Sequence, residues 1–474
     1  MTEVDRLPLV TDLDDTVLRT DSLIESIFVL ARTKPAYLLR LPVWWLQGTA
    51  HCKRLLAAAA IPDVHLLPFR SDVLTFLREQ KALGRPLILA AAADEDLARA
   101  INRDSGLFDE ILASDGRVNL SGKRKRDRLV GRFGERGFDY IGSRPGDFPV
   151  WHAARRALLV SPSRHLERKV AAVTPVERIF REQKTGFSDY LHALRVHHWV
   201  KNLLVFMPLA LAHRFFEFEL LERVVLAFVA FSLCASGVYL LNDLLDLPAD
   251  RRHPKKKERR LASGRIRLAQ ALVMMPLIFA AAFGIAWHLS IGFTAILAAY
   301  VVLMVEYSIK LKDIAIVDVL VLASGYAFRV AAGAVAADVE LSPWLLTFCV
   351  FLFLSLALIK RCSELVLAEL APGPSHARGY SGSDKVWLVA QGLASGYLSV
   401  LVLALYTNSD ISQRMNTRHE YFWGVCLLLL YWVSYLWMMA VRGRIHNDPV
   451  LFAFSDRVSR WTLALAALFT LIAI

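Results

Sequence analysis

Cysteine is scarce. The five in 474 residues (Cys52, Cys234, Cys349, Cys362 and Cys426) are far apart, so their spacing offers neither a disulfide framework nor a zinc-ligand pair. Cys234, Cys349 and Cys426 sit inside long apolar runs, where a thiol behaves as a small hydrophobe. Acid is also in short supply, with 44 Asp and Glu against 56 Lys and Arg, a net charge of +12 and a pI near 9.5. A basic start followed by a long apolar stretch is missing: Met1 to Arg6 carries Glu3, Asp5 and Arg6, which predicts no secretory signal and an N-terminus in the cytoplasm. Apolar residues, by contrast, make up 55% of the chain, and the mean hydropathy is +0.40. That excludes disordered, collagen-like and small disulfide-stapled proteins, which cannot bury so much surface. A charged fraction of 21% is too high for a chain built only of membrane spans, so charge and apolar surface must be segregated along it.

They are. Residues 1–165 alternate short apolar strands with polar helices; Leu7–Thr11, Pro86–Ala91 and Phe138–Gly142 read as buried parallel strands of a soluble α/β domain. Between the first two lies a helical insertion at about 22–60, unusually rich in apolar and aromatic residues. It reads either as a cap packed on its own core or as a helix lying on a bilayer with Trp44 and Trp45 at headgroup depth. Residues 166–185 are charged and mixed and read as a linker. From 186 to 474 long apolar stretches follow, and a spanning helix needs about 20 such residues. Nine are expected, with cores at 199–213, 222–242, 268–289, 292–308, 314–337, 343–366, 386–406, 420–440 and 459–474. With a cytoplasmic N-terminus, the cytoplasmic loops carry 19 Lys and Arg and the opposite loops 4, so the positive-inside rule agrees and places the C-terminus on the far side. The net positive charge is thereby assigned to membrane orientation and to phosphate ligands, and no nucleic-acid partner is expected; a homo-oligomer stays open.

The most informative stretch runs from Asn242 to Arg260, at the cytoplasmic end of the second span. On a helix Asp243, Asp246 and Asp250 are spaced i, i+3, i+7 and share one face. Three clustered carboxylates repel one another unless a cation sits among them, and hard oxygen donors that leave room for water suit Mg²⁺, held jointly with substrate phosphates. Residues 251–260 then hold seven Lys and Arg against one Glu, a counter-charge for the remaining phosphate oxygens. A solvated loop capped by acids would explain the basic run but not three acids closing an apolar helix.

This stretch resembles the signature of the UbiA superfamily of intramembrane prenyltransferases, Asn-Asp-x-x-Asp-x-x-x-Asp followed by His-Pro-x-Lys-x-x-Arg-Pro-x-Ala-x-Gly. Here the second half reads His253-Pro-Lys-Lys256-Lys-Glu-Arg259-Arg-Leu-Ala-Ser-Gly264, with Arg260 in place of the usual Pro. The resemblance implies a helical membrane bundle and a role for Asn242, Asp243, Asp246 and Asp250 in holding Mg²⁺ on a diphosphate, with Lys256 and Arg259 neutralising the leaving group. Aromatic prenyltransferases of the superfamily carry a second acidic motif; the corresponding position here, Tyr307 to Asp318, offers only Asp313 and Asp318, on different helix faces. Tyr307-Ser-Ile-Lys-Leu-Lys312 with Asp318 instead resembles the decaprenyl-phosphate phosphoribosyltransferase branch. So do Arg195-Val-His-His-Trp-Val-Lys201-Asn202, Lys360-Arg361-Cys-Ser-Glu364 and Asn447-Asp-Pro-Val-Leu-Phe-Ala453. That branch implies phosphoribosyl diphosphate as donor, a polyprenyl phosphate lipid as acceptor, and Lys201, Tyr307 and Lys312 as candidates to orient the phosphates. Asp318, Arg329, Lys360, Arg361 and Glu364 are intramembrane or border charges that either contact substrate or pair among themselves, for example Asp318 with Arg329. A prenyl-diphosphate-dependent aromatic transferase and a non-catalytic membrane scaffold are the competing readings.

In the soluble domain, Asp12-Leu-Asp14-Asp-Thr16 after the first strand resembles the opening motif of the haloacid dehalogenase superfamily, a Rossmann-type fold. The resemblance implies Asp12 as nucleophile, Asp14 as acid/base, Lys125 (or the nearby Lys123) on the phosphate, and Asp147 with Asp12 and Asp14 on Mg²⁺. Two positions depart from the pattern: Ala91 ends the second strand where a Ser or Thr is usual, and Ser143 stands where an Asp often follows the glycine. An active phosphatase, with the neighbouring product's 5-phosphate as its candidate substrate, and a retained regulatory or docking domain both stay open.

Overall fold

The computed structural model describes residues 7–181, 185–369, 379–416, 418–446 and 448–473. Met1–Arg6, Lys184 and Asn447, on which part of the sequence reading fell, lie outside the described residues. The chain forms two units, one of Met1–Ala193 with Asn242–Met274 and one of Leu194–Leu241 with Met275–Ile474.

In the first unit six parallel strands, β1 Leu9–Thr11, β2 Leu87–Asp94, β3 Glu110–Ser114, β4 Asp139–Gly142, β5 Ala157–Val160 and β6 Val176–Phe180, lie in the order β3-β2-β1-β4-β5-β6. Leu9 pairs with Leu87 on one side and Asp139 on the other. Strand side chains alternate between faces, and both faces are covered. Leu9, Leu87, Leu89, Ile141 and Leu158 enter one core, while Val10, Ile88, Ala90, Tyr140 and Leu159 enter the other. That double burial explains why the strands read as unbroken apolar runs. The segment expected as a linker carries the helix Arg164–Ala171 and β6, which pairs with β5 and completes the sheet. Its edge position leaves the adjacent Glu177 and Arg178 exposed in the middle of the strand, which hid it in the sequence.

The insertion after β1 is helical throughout. Helix α1 (Ser22–Thr33) is capped by Asp21, whose side chain accepts from the Leu23 and Ile24 N–H groups. A 3₁₀ turn (Pro35–Arg40), a short helix (Leu41–Leu46) and α2 (Thr49–Ala59) follow. Leu30, Leu56 and Ala60 form a small core with Trp44 packed against it, whereas Leu39 and Leu46 stay 83% and 87% exposed. Further along, α3 (Gly122–Phe133) precedes β4.

From Phe218 on, the helices that frame the site are α4 (Phe218–Leu245), α5 (Leu247–Arg252), α6 (Leu268–Leu289), α7 (Ile291–Ile309), α8 (Val317–Ala336), α9 (Pro343–Glu369), α10 (Lys385–Thr407), α11 (Phe422–Val441) and α12 (Arg457–Ala473). Among the described residues seven helices, α4 and α6 to α11, are long and apolar enough to cross a membrane, where nine were expected. The first expected span is an 11-residue 3₁₀ helix, Val196–Phe206, continued by the five-residue helix Met207–Leu211. The last expected span, α12, has 17 residues. Small residues let the second unit pack closely, as membrane bundles require. A Cβ on Gly333 of α8 would stand 2.1 Å from the Val205 carbonyl oxygen, and one on Gly392 of α10 would meet the Trp437 ring at 1.9 Å.

Candidate active sites

The Asp-rich segment is built where α4 ends. Asp246, at φ −93° and ψ 5°, interrupts the helix, and α5 restarts with a proline in its first turn. Register survives the junction, since Asp246 N–H donates to the Asn242 carbonyl (2.9 Å) and Asp250 N–H to the Asp246 carbonyl (2.8 Å). Asp243, Asp246 and Asp250 are all buried. A single guanidinium nitrogen, Nη1 of Arg259, bridges Asp243 Oδ1 (3.2 Å) and Asp250 Oδ2 (2.6 Å). Asp246 Oδ1 instead accepts from Arg32 Nη1 at 2.6 Å. Burial holds the Asp250 carboxyl above its ordinary range, with Arg259 and Lys256 pulling it back. His253 Nδ1 accepts from the Lys255 and Lys256 N–H groups (3.2 and 3.3 Å), shaping the turn that carries the basic residues, while Asn242 lies half-buried one position before Asp243.

One cation between two buried carboxylates marks a point on which their oxygens converge. Two carboxylates plus substrate phosphates are the usual provision for Mg²⁺, so Asp243 and Asp250 fit that ion. The three-carboxylate cage expected from the i, i+3, i+7 spacing is not formed: among the described residues no three His, Cys, Asp or Glu groups come together to hold a metal. The local reason is a division of partners, since Arg259 holds Asp243 and Asp250 together while Arg32 of α1 takes Asp246.

In the second unit the expected charges form two clusters. Asp318 and Arg361 are fully buried and paired; Arg361 also binds Glu364 and donates to the Tyr307 hydroxyl (3.0 Å), and the Tyr380 hydroxyl donates to Asp318 (2.7 Å). Asp318 therefore pairs with Arg361 and not with Arg329. Arg329 donates to Asn202 Oδ1 (2.7 Å) and to the Gly325 carbonyl, and its guanidinium lies 5.0, 5.5 and 5.4 Å from the ring centroids of Phe231, Tyr300 and Tyr326. Asn202 in turn donates to Ser232 (2.9 Å). In the same neighbourhood Lys201 Nζ meets Asp448 Oδ2 at 2.6 Å, and Lys360 is near enough to act on the Asp448 charge. Lys312 is buried in the 3₁₀ turn Leu311–Asp313, whereas Asp313 itself is exposed.

The N-terminal site lies at the carboxyl ends of β1 and β4, where the chain leaves the central strand in opposite directions and doubly wound sheets bind their ligands. Lys125 of α3 donates to Asp12 Oδ1 (2.7 Å) and to the Tyr140 hydroxyl (3.1 Å), and stands 3.7 Å from Asp147. Asp147 accepts the Tyr140 hydroxyl on one oxygen and the Ser143 and Arg144 N–H groups on the other, so it orients Lys125 and the turn after β4. Asp14 accepts the Ser22 N–H (2.8 Å); burial, then the nearby Asp21 and Asp12 carboxylates, push its carboxyl up to about 7. A divalent cation fits beside Asp12 and Asp14, whose repulsion it would relieve. Ser143, at the departing position, accepts from Thr16 Oγ1 (3.0 Å).

A profile of the UbiA prenyltransferase family matches residues 203–455, just over half of the chain. The chain belongs to this family. It is accordingly an enzyme, a multi-pass membrane transferase. The uncharacterized protein y4nM of Sinorhizobium fredii is 34% identical over 470 residues, 98% of this chain and 90% of its own length. The decaprenyl-phosphate phosphoribosyltransferase of Mycolicibacterium smegmatis is 38% identical over 283 residues, 58% of this chain and 89% of that enzyme. Among solved structures, a UbiA homolog from Archaeoglobus fulgidus bound to DMAPP and Mg²⁺ superposes with a TM-score of 0.45 at 15% identity, covering 60% of this chain and 99% of that one.

Several site residues were not legible in the sequence. Lys53 of α2 donates to the Ala92 carbonyl (2.6 Å) and to Asn119 Oδ1 (3.0 Å), which puts a cation at the end of β2, where the expected hydroxyl is missing. Arg144 binds Asp15 and Asp21, and Tyr140 links Lys125 to Asp147. Two signals were available: Tyr140 directly precedes the Ile-Gly that ends β4, and Asp448 lies inside a motif already singled out.

Proposed function

We propose that the chain transfers a 5-phosphoribosyl group from phosphoribosyl diphosphate to a polyprenyl phosphate in the inner cell membrane. The observation that carries this reading is the fate of the second acidic motif. A second metal-bound diphosphate needs carboxylates that converge, yet Asp313 is exposed while Asp318 is buried and committed to Arg361 and Tyr380. One Asp-rich segment with several buried cations suits one metal-bound diphosphate and one metal-free phosphate, the pair that a phosphoribosyltransferase takes. The 38% identity to a decaprenyl-phosphate phosphoribosyltransferase supports the same choice.

Asp243 and Asp250 would hold Mg²⁺, which when bound offsets charge on the diphosphate oxygens. Arg259 and Lys256 neutralise the charge that builds on the leaving group as the anomeric C–O bond breaks. A phosphate oxygen of the acceptor lipid forms the new bond to that carbon, and diphosphate departs. The attacking oxygen is anionic near neutral pH, so alignment matters more than a general base. Lys201, Tyr307, Lys312, Arg329, Lys360 and Arg361 are the groups offered to the acceptor phosphate.

The N-terminal domain carries a second proposed activity, hydrolysis of a phosphate monoester, with Asp12 attacking phosphorus, Lys125 on the phosphate oxygens and Asp14 moving the proton. A carboxyl near 7 is suited to both donating and accepting at neutral pH. The product's 5-phosphate is the substrate proposed.

The test is transfer of radiolabel from phosphoribosyl diphosphate to lipid by the purified full-length protein with Mg²⁺ and polyprenyl phosphate. Wild type should label the lipid, Asp243→Ala should abolish labelling, and Asp12→Asn should leave the labelled product phosphorylated. Turnover of a prenyl diphosphate with no lipid label would replace the assignment by an aromatic prenyltransferase.

A further inference from the structure

Helix α1 is held against the Asp-rich segment. Arg251 of α5 binds Glu25 through two hydrogen bonds (3.0 and 2.6 Å), both side chains are buried, and Thr20 Oγ1 donates to the same carboxylate (2.7 Å). Arg252 reaches Asp63 at 3.0 Å, and Gly264, which closes the signature, would place a Cβ 2.7 Å from Arg19 Cβ. Arg32 lies seven residues after Glu25, two turns along the same face of α1. The buried Glu25–Arg251 pair thus fixes the helix so that its last turn delivers Arg32 to Asp246.

Arg32 differs from its anchor in kind. Its side chain is 39% exposed, and it reaches Asp246 Oδ1 and the Leu245 carbonyl through Nη1 alone, whereas a guanidinium offers five N–H donors in a planar fork matched to phosphate oxygens. We propose that the N-terminal domain supplies Arg32 as a diphosphate-binding residue of the transferase site. The soluble domain would then be part of the transferase and not a passenger, because the donor's diphosphate is gripped partly by a residue from the insertion after β1. The inference rests on reading the Asp-rich segment as the diphosphate site.

The experiment is calorimetric titration of the purified full-length protein with pyrophosphate in saturating Mg²⁺. Arg32→Ala should weaken binding by about tenfold or more, the worth of one charge-assisted contact, and Arg32→Lys should recover part of it. Arg40→Ala, which removes another exposed cation from the same insertion, should bind as wild type does. Wild-type affinity in Arg32→Ala, or equal losses in Arg32→Ala and Arg40→Ala, would overturn the proposal. If wild type fails to bind Mg-pyrophosphate, the proposal and the diphosphate-site reading fall together. If it binds but transfers no phosphoribosyl group, only the reaction assignment falls and the Arg32 comparison stands.

Discussion

At the scale of single residues, burial decides what each charge can do. Asp14 is the clearest case. Its carboxyl is pushed from 3.8 up to about 7 by burial and by Asp21 and Asp12, so the folded domain binds that proton more tightly than the unfolded chain does. The resulting stabilisation is fully present below about pH 4 and is lost as the pH rises through about 7, at most about 4 kcal/mol. Amide hydrogen exchange of β1 and β4, corrected for intrinsic rates, should therefore speed up between pH 5 and pH 8, and Asp14→Asn should flatten that dependence. Equal slopes in wild type and variant would remove Asp14 as the cause. Arg361 poses the opposite problem, a buried cation whose loss strands a carboxylate. Arg361→Ala should cost roughly 3–5 kcal/mol by leaving Asp318 without its cation, and pairing it with Asp318→Asn should restore much of the thermal stability in detergent. Transferase activity should stay low in the double variant if Arg361 also contacts the acceptor phosphate.

At the scale of elements, contiguous patterns were readable and distant partnerships were not. The Asp12–Thr16 run, the Asn242–Gly264 signature and the three apolar strands β1, β2 and β4 each show within one stretch of chain, because strand burial and helix spacing are local properties. Lys201 and Asp448 are 247 residues apart and Arg32 and Asp246 are 214 apart, and no local rule joins them. The helix break at Asp246 could be suspected from Pro248, yet not the redirection of Asp246 toward Arg32, which depends on how α1 packs. β6 escaped notice because an edge strand needs only half the apolar pattern of a central one. Gly264 shows how an element can depend on one residue: its φ of +71° disfavours a side chain, and Arg19 stands where a Cβ would go. Gly264→Ala should cost about 1–3 kcal/mol in strain and displace the loop that carries Arg259. A thermal shift of the full-length protein together with weaker Mg-pyrophosphate binding would bear this out, and an unchanged melting point would not.

At the scale of the whole molecule the open quantity is the number of crossings, and the chain's own path constrains it. The N-terminal domain and residues 242–274 touch through Glu25–Arg251 and Arg32–Asp246, so both must lie on one face of the membrane. If α4 crosses once to reach Asn242, the stretch between Leu194 and Phe218 is expected to cross as well. It is long enough despite its few residues, because 11 residues of 3₁₀ helix at about 2.0 Å and five of α-helix at about 1.5 Å extend about 30 Å, the thickness of the hydrocarbon core. If α12 is taken as the last crossing, the nine-span reading of the sequence would put the charge bias of 19 against 4 on the cytoplasmic side. All five native cysteines are buried, so single cysteines introduced at exposed loop positions can be read against a low background. Phe216, 90% exposed just before α4, should as Phe216→Cys react with a membrane-impermeant maleimide added to intact spheroplasts. Arg444→Cys, in the turn after α11, should react only once the membrane is opened. The reverse pattern, with Arg444→Cys labelled in intact spheroplasts and Phe216→Cys only after opening, would mean, for an N-terminal domain inside the cell, that the 196–211 stretch does not cross, which would place the Asp-rich segment opposite the domain whose arginine it binds.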